Sequence, residues 1–385
     1  MAWKVESIMS QRHEFCKLAC EPGSNISALC QQFQITRRTG YKWLRRYREE
    51  GADGLWDRSH RPHLSPDRTD AAVEAQVVAL RLNYPYWGPR KLHRLMKDRL
   101  AKDQLPAIAT VARILKRNGL IETPAPKLVW PAVGRFEHPY PNDLWQMDLK
   151  APIRLPDRQK IYPVGLLDDH SRYLLGLWMM PDCRDDGIIK CWLDASCQHG
   201  FPKRTLTDHG VQFRGEDNAT SAFRTMLWAC GVAHTQGRVA HPQTQGKIER
   251  FWKTLKTEVL TRYEYKDRAS WQKCFDEWRN QYNHIRPHQE LGDEPPASRY
   301  QFSERPFVAP DRRQQVGFPN SIYRSVNSRG YISLGGYLTM VGRGLTGWTV
   351  EVRPLGTGCW HVYFRHHFMR EILLTKPIRD QRTNS

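Results

Sequence analysis

Leu144-Trp-Gln-Met-Asp-Leu-Lys150 is an apolar run carrying a single carboxylate, and its reading decides the fold. A short apolar run of this kind reads as a buried strand, which places Asp148 on a strand. Two more segments hold an acid in a comparable setting. Arg204-Thr-Leu-Thr-Asp-His-Gly210 reads as a short strand that stops at Asp208, where Gly210 is expected to let the backbone turn sharply. Gln245-Gly-Lys-Ile-Glu-Arg-Phe-Trp-Lys-Thr-Leu-Lys256 reads as a helix opening after a Pro/Thr/Gly loop, and it carries Glu249. Three carboxylates meeting from two strand ends and a helix cannot all stay ionised without a cation, because like charges in contact disfavour ionisation. A pair of Mg²⁺ ions, roughly 3.5–4 Å apart in such sites, resolves the conflict and supplies in-line phosphoryl transfer.

The pattern around these segments is α/β. Strands are expected at 144–152, 161–167 and 173–180, then a helix at 185–198 and a strand at 205–208. A helix at 222–230 and a last strand at 231–235 follow, with long helices at 246–263 and 270–282. Three consecutive strands and then alternating helix and strand match a ribonuclease-H-like mixed sheet. In the first long helix Glu249, Lys253 and Lys256 fall at i, i+4 and i+7 on one face. Ile248, Phe251, Trp252, Leu255 and Val259 make the adjoining apolar face.

Towards the N-terminus the chain reads as helical units. Phe15, Cys16, Leu18 and Cys20 are helically spaced, and Ile26, Leu29, Cys30 and Phe33 form a second stripe after a capping Gly23-Ser24-Asn25. Thr36 can cap a third, basic helix over 37–50 that carries Arg37, Arg38, Lys42 and Arg45. Two short helices and a turn, the second basic, form the helix-turn-helix layout that enters a DNA major groove. Its plainer reading is a solvated basic helix on a small bundle. A Gly- and Pro-rich linker precedes helices at 71–82, 90–100 and 107–118, which form a second unit of the same kind. After residue 305 the period becomes two: Trp348, Val350 and Val352 alternate with polar residues, as do Trp360, Val362 and Phe364. Four or five such strands at hairpin spacing read as a small β-barrel.

The bulk numbers agree with this. The 385 residues carry a formal charge of +19, with pI near 9.7 and mean hydropathy −0.67. Such an excess of charge favours a polyanionic partner. No uncharged apolar run is long enough to span a membrane, and the first ten residues lack the apolar core of a secretion signal. The nine cysteines are scattered without a Cys-x-x-Cys pair, which reads as reduced, mostly buried thiols in a cytosol. His13 with Cys16, Cys20 and Cys30 lacks the spacing of a zinc module, so core thiols are expected.

Together these features resemble the integrase-core transposases of bacterial insertion sequences, relatives of retroviral integrases. The resemblance rests on Trp145-Gln-Met-Asp148, Asp168-Asp-His-Ser-Arg172, Thr207-Asp-His-Gly210, the run from His241 to Lys256, and Tyr282-Asn-His-Ile-Arg-Pro-His288. It implies that Asp148, Asp208 and Glu249 bind two Mg²⁺ (or Mn²⁺) ions, and that Gln245, Lys253 and Lys256 contact the element end. It implies hydrolysis of a phosphodiester at that end and joining of the freed 3′-hydroxyl to target DNA. Double-stranded DNA is the expected partner, as terminal inverted repeats and as target, with a homo-oligomer holding two ends together in the bacterial cytoplasm. Asp208 to Glu249 is somewhat longer than the retroviral spacing, which leaves room for a loop over 236–246, and His209 stands where the family often has Asn. Asp168 and Asp169 are expected to cap a turn. The expected domains are a helix-turn-helix unit at 1–52, a linker at 53–70, a second helical unit at 71–125, the catalytic core at 126–305 and the small β-barrel at 306–385. A DNA-binding repressor and a nuclease for RNA–DNA hybrids are the competing readings.

Overall fold

The computed structural model describes residues 8–58, 69–121, 137–215, 220–237, 246–317, 321–356 and 358–374. The chain divides into two compact units, Met1–Thr69 and Asp70–Ser385. In the first, helices α1 (Ile8–Ala19), α2 (Ile26–Gln32) and α3 (Arg37–Glu50) enclose Phe15, Cys16, Cys30, Trp43, Leu44 and Leu55. The turn chemistry is the expected one. Asn25 Oδ1 accepts from the amides of Ser27 and Ala28, and Thr36 Oγ1 accepts from that of Thr39. Each cap is worth about 1 kcal/mol. Cys16 and Cys30 are buried free thiols, while Cys20 is exposed.

The second unit begins with α4 (Ala71–Asn83), α5 (Pro89–Lys97) and α6 (Ile108–Arg117), packed around Val77, Trp87, Leu92, Met96, Val111 and Leu115. Asp70 caps α4, and Pro89 starts α5 where a missing amide costs nothing. The central sheet follows. Strands β1 (Leu144–Leu149), β2 (Ile153–Arg154), β3 (Lys160–Asp168) and β4 (Leu174–Met180) lead through α7 (Asp185–His199) to β5 (Arg204–Thr207). Then come α8 (Val211–Arg214), α9 (Ala222–Ala229) and β6 (Ala233–Gln236). β3 pairs antiparallel with β1 and β4, whereas β1–β5 and β5–β6 are parallel. The resulting order β4-β3-β1-β5-β6 is the ribonuclease-H-like mixed sheet expected. β2 and the single turn α8 were not expected. Both are too short for hydrophobic periodicity to reveal.

Helices cover both faces. Trp145, Met147, Val164, Leu166, Trp192 and Phe223 form the core under α7 and α9. On the other face Leu167, Leu174 and Leu177 pack against α10 (Gly246–Leu255) and α11 (Arg268–His284) through Phe251, Trp252, Trp271, Phe275 and Trp278. The continuous helix expected over 246–263 is corrected here. It passes at Lys256–Leu260 into a π-helical turn. The widened turn carries Glu258 inward, where its carboxylate accepts from Arg286 Nε at 2.9 Å and Trp278 Nε1 at 3.2 Å.

The C-terminal part contains β7 (Ile322–Ser325), β8 (Tyr331–Leu334), β9 (Tyr337–Met340), β10 (Thr349–Gly356), β11 (Cys359–Phe364) and β12 (His367–Leu373). Alternation sends Val350, Val352, Val362 and Phe364 inward. Among the described residues the strands make a four-stranded antiparallel sheet, β12-β11-β10-β7, and a separate β8–β9 hairpin. The expected closed barrel is therefore not present among them. Of these two four-residue strands, β8 lends Ile332 and Leu334 to the shared core, and the pair is too short to bridge both sheet edges.

Candidate active site

Register places the first two acids side by side. In the parallel pair β1–β5, Gln146 stands opposite Leu206. Two residues further along each chain are Asp148, still inside β1 and opposite Gly165 of β3, and Asp208, the first residue past the end of β5. Asp148 shares its face with Leu167's partner Gln146 and with Gly165, the face that α10 covers. Asp208 is fixed from below, since its Oδ1 accepts from the Gly210 amide at 2.9 Å. Gly210 itself has φ −52°, ψ 146°, a conformation open to any residue. The sharp glycine turn expected there is thus not what stops the strand. His209 Nε2 contacts the Gly237 carbonyl just past β6, a distant segment and not its own turn.

α10 is clamped to this face at two points. Trp252 Nε1 donates to Asp148 Oδ2 at 2.8 Å. Near the helix start, Lys247 Nζ pairs with Asp169 Oδ2 at 2.5 Å. Gly165 makes the approach feasible, because a Cβ there would sit 3.0 Å from Phe251 and 3.1 Å from the Trp252 ring. Glu249 lies between the two clamps, exposed, one turn before Trp252. The described side chains do not draw Asp148, Asp208 and Glu249 into one cluster with all ligand atoms within 4.8 Å.

Electrostatics single out Asp148. Burial pushes its carboxyl up to about 6, and the Asp208 charge adds to this, against the opposing Trp252 hydrogen bond. A pair of acids short of positive charge, with only oxygen donors, suits a hard divalent cation such as Mg²⁺ or Mn²⁺. The neighbouring acids have other work. Asp168 accepts from the amides of Asn142 and Ser171, each at 2.8 Å, and from Ser171 Oγ at 2.6 Å. Asp169 takes Gln146 Nε2 at 2.7 Å and the His138 amide at 2.9 Å. Asp168 caps its turn through Ser171, as expected, whereas Asp169 ties distant segments together and caps no turn of its own.

The other candidates divide. Arg37, Arg38, Lys42 and Arg45 are all exposed on α3, while Trp43 and Leu44 face the core. Lys253 and Lys256 are exposed. Lys256 opens the π-helical turn, so the α-helical phase that aligned it with Glu249 and Lys253 changes at that residue. Gln245 lies outside the described residues. Two arginines of the second helical unit are already paired: Arg90 with Asp293, and Arg94 in a two-point contact with Glu294. Trp252, Lys247 and Gly165 were not singled out from sequence. Trp252 read as apolar surface, and only its proximity to Asp148 gives its ring nitrogen a role.

Residues 138–242 and 230–296 match the integrase core domain family, and residues 9–56 and 39–115 match homeodomain-like domains. The chain carries an integrase core. It is preceded by homeodomain-like helix-turn-helix segments. The chain is 25% identical over 256 residues to an uncharacterized 39.2 kDa protein of insertion element IS476 from Xanthomonas euvesicatoria, covering 65% of this chain and 68% of that one. It is 28% identical over 159 residues to the transposase for insertion sequence element IS904 from Lactococcus lactis, covering 40% and 60%. Among solved structures it is similar to a chain of a simian T-cell lymphotropic virus intasome (14% identity, TM-score 0.37, 75% of this chain and 100% of that one). The HTLV-2 integrase catalytic core in complex with magnesium has 16% identity and TM-score 0.34 (42% and 99%). At such scores the strand order, not the superposition, carries the fold of the integrase core. No helix among the described residues is long and apolar enough to cross a membrane.

Proposed function

We propose that this chain is a DNA transposase of an insertion element, with Asp148, Asp208 and Glu249 holding two divalent cations. The observation that carries the reading is the pairing of Asp148 and Asp208 at neighbouring strand ends, beneath a helix that bears Glu249. Bound there, Mg²⁺ would neutralise charge on the attacking and leaving oxygens of a phosphodiester. The chain's own residues supply the rest. Trp252 fixes the Asp148 carboxylate and the Gly210 amide fixes that of Asp208. Exposed Lys253 and Lys256, with Gln245, contact the element end. Arg37, Arg38, Lys42 and Arg45 read the terminal inverted repeat from the major groove, and the C-terminal strands add phosphate contacts.

The first reaction is hydrolysis at the element end, in which water adds to phosphorus and the 3′-oxygen leaves. The second is an exchange: the freed 3′-hydroxyl attacks target DNA and one target 3′-oxygen departs. Two ends must be joined at one target, so a homo-oligomer performs it. The likeness to the IS904 transposase and the integrase core support this reading, and the domains it entails have limits at 52, 70, 125 and 305. The test incubates the full chain with element-end duplex and Mg²⁺ or Mn²⁺. Specific nicking by the wild type and none by Asp148→Asn is expected. Equal nicking by both, or preference for RNA–DNA hybrid over duplex, would overturn it.

A further inference from the structure

Outside the integrase core, three side chains of different chemistry meet on the C-terminal sheet. Cys359 and His361 alternate along β11, so both project from the face opposite buried Val362. Glu371 of β12 stands directly across from His361 in the antiparallel register. Their sulfur, ring nitrogen and carboxylate oxygen all lie within 4.8 Å of one another, the one such trio among the described residues. His361 Nε2 and Glu371 Oε2 are 3.1 Å apart. Tetrahedral zinc, with bonds of about 2.0–2.3 Å, requires ligand atoms about 3.4 Å apart.

We propose that Cys359, His361 and Glu371 bind one transition-metal ion, Zn²⁺ by donor set, with a water completing the tetrahedron. A thiolate and an imidazole select borderline cations and are poor ligands for Mg²⁺, so this site and the carboxylate site differ in chemistry. The surroundings are those of a built ligand. Tyr363 OH lies 3.4 Å from His361 Nδ1, the nitrogen that would carry the proton when Nε2 binds metal. The Phe368 ring stands edge-on to the imidazole with centroids 5.0 Å apart, holding its plane. The thiol is pushed above its usual range by desolvation and then by Glu371, so the metal-free site keeps a proton on sulfur. Binding therefore forms a metal–sulfur bond and releases that proton to solvent. Since Cys359 pairs with Leu373 near the outer end of the hairpin, the ion would pin edge strand β12 to β11 where it is most prone to fray.

The experiment uses the full chain, reduced and stripped of metal, with Mg²⁺ in excess to occupy oxygen-donor sites. Co²⁺ is titrated in as a spectroscopic probe. Expected are one equivalent of tetrahedral Co²⁺, a sulfur-to-cobalt charge-transfer band, and release of a proton. Cys359→Ser should abolish the band, and His361→Ala or Glu371→Gln should weaken binding at least 10-fold. Tyr363→Phe should weaken it by about 10-fold, as expected for loss of the group orienting a ligand histidine. Circular dichroism checks that each variant is folded, and Glu371→Gln, altering one exposed side chain, serves if another is not. No sulfur band, or a band unchanged in Cys359→Ser, overturns the proposal. The readout needs no DNA, so a chain inactive on element ends would still decide it.

Discussion

The indole of Trp252 donates to Asp148 across 2.8 Å, so the helix that bears Glu249 also sets the charge state of the first strand carboxylate. That hydrogen bond favours the ionised acid, against the burial that disfavours it. Trp252→Phe keeps an aromatic ring under Gly165 and removes only the donor. The Asp148 carboxyl should then titrate above about 6, moving the acid limb of DNA nicking to higher pH. A pH–rate profile identical to wild type would show that the bond is incidental.

Asp148→Asn should stabilise the metal-free protein while abolishing nicking. The carboxyl is raised from 3.8 to about 6 in the fold. Its contribution is therefore fully present below the unfolded value and is lost as pH rises through the window from 3.8 to about 6. Above that window the ionised acid is a liability of up to about 3 kcal/mol, at 1.36 kcal/mol for each unit. Thermal denaturation should find the variant more stable than wild type at pH 8 and indistinguishable at pH 3. Mg²⁺ should raise the wild-type midpoint and leave that of Asp148→Asn nearly unmoved.

Glu258 and Arg286 are both under 9% exposed, and they hold the π-helical turn against α11. Glu258→Gln would strand the guanidinium without a counter-charge. Breaking such a buried pair costs about 3–5 kcal/mol. Urea unfolding of the variant should show a loss of that size. A loss below 1 kcal/mol would mean that the arginine finds water instead.

For α3, each of Arg37→Ala, Arg38→Ala, Lys42→Ala and Arg45→Ala should weaken binding to an inverted-repeat duplex. A variant that loses a phosphate contact lowers the salt slope by about one and weakens all sequences alike. One that loses a base contact costs about 1–3 kcal/mol on the repeat alone. Binding isotherms at several salt concentrations separate the two. If all four variants bind like wild type, this face does not meet DNA.

Much of this molecule was legible in its sequence, for a physical reason. A buried strand with one acid, like the segment holding Asp148, is costly unless the acid is used, so it stands out against its apolar neighbours. Caps such as Thr36 act over three residues and are equally local. The unseen features depend on distant partners. Trp252 meets Asp148 only once α10 crosses the sheet, and Glu258 bends its helix because Arg286 waits on another element. Cys359 and Glu371 become neighbours only through strand register. Barrel closure is not legible in this way, since alternation in β8 and β9 reports which way side chains face but not which edge a strand joins.

Gly165 carries a last implication. With no side chain of its own, it leaves a hollow in β3 that the rings of Phe251 and Trp252 occupy. Even one added methyl would lift the helix a few tenths of an ångström, shifting Glu249's perch and loosening the indole's grip together. The placement of Glu249 and the proton affinity of Asp148 are thus a single mechanical variable, governed from a position that bears no functional group at all.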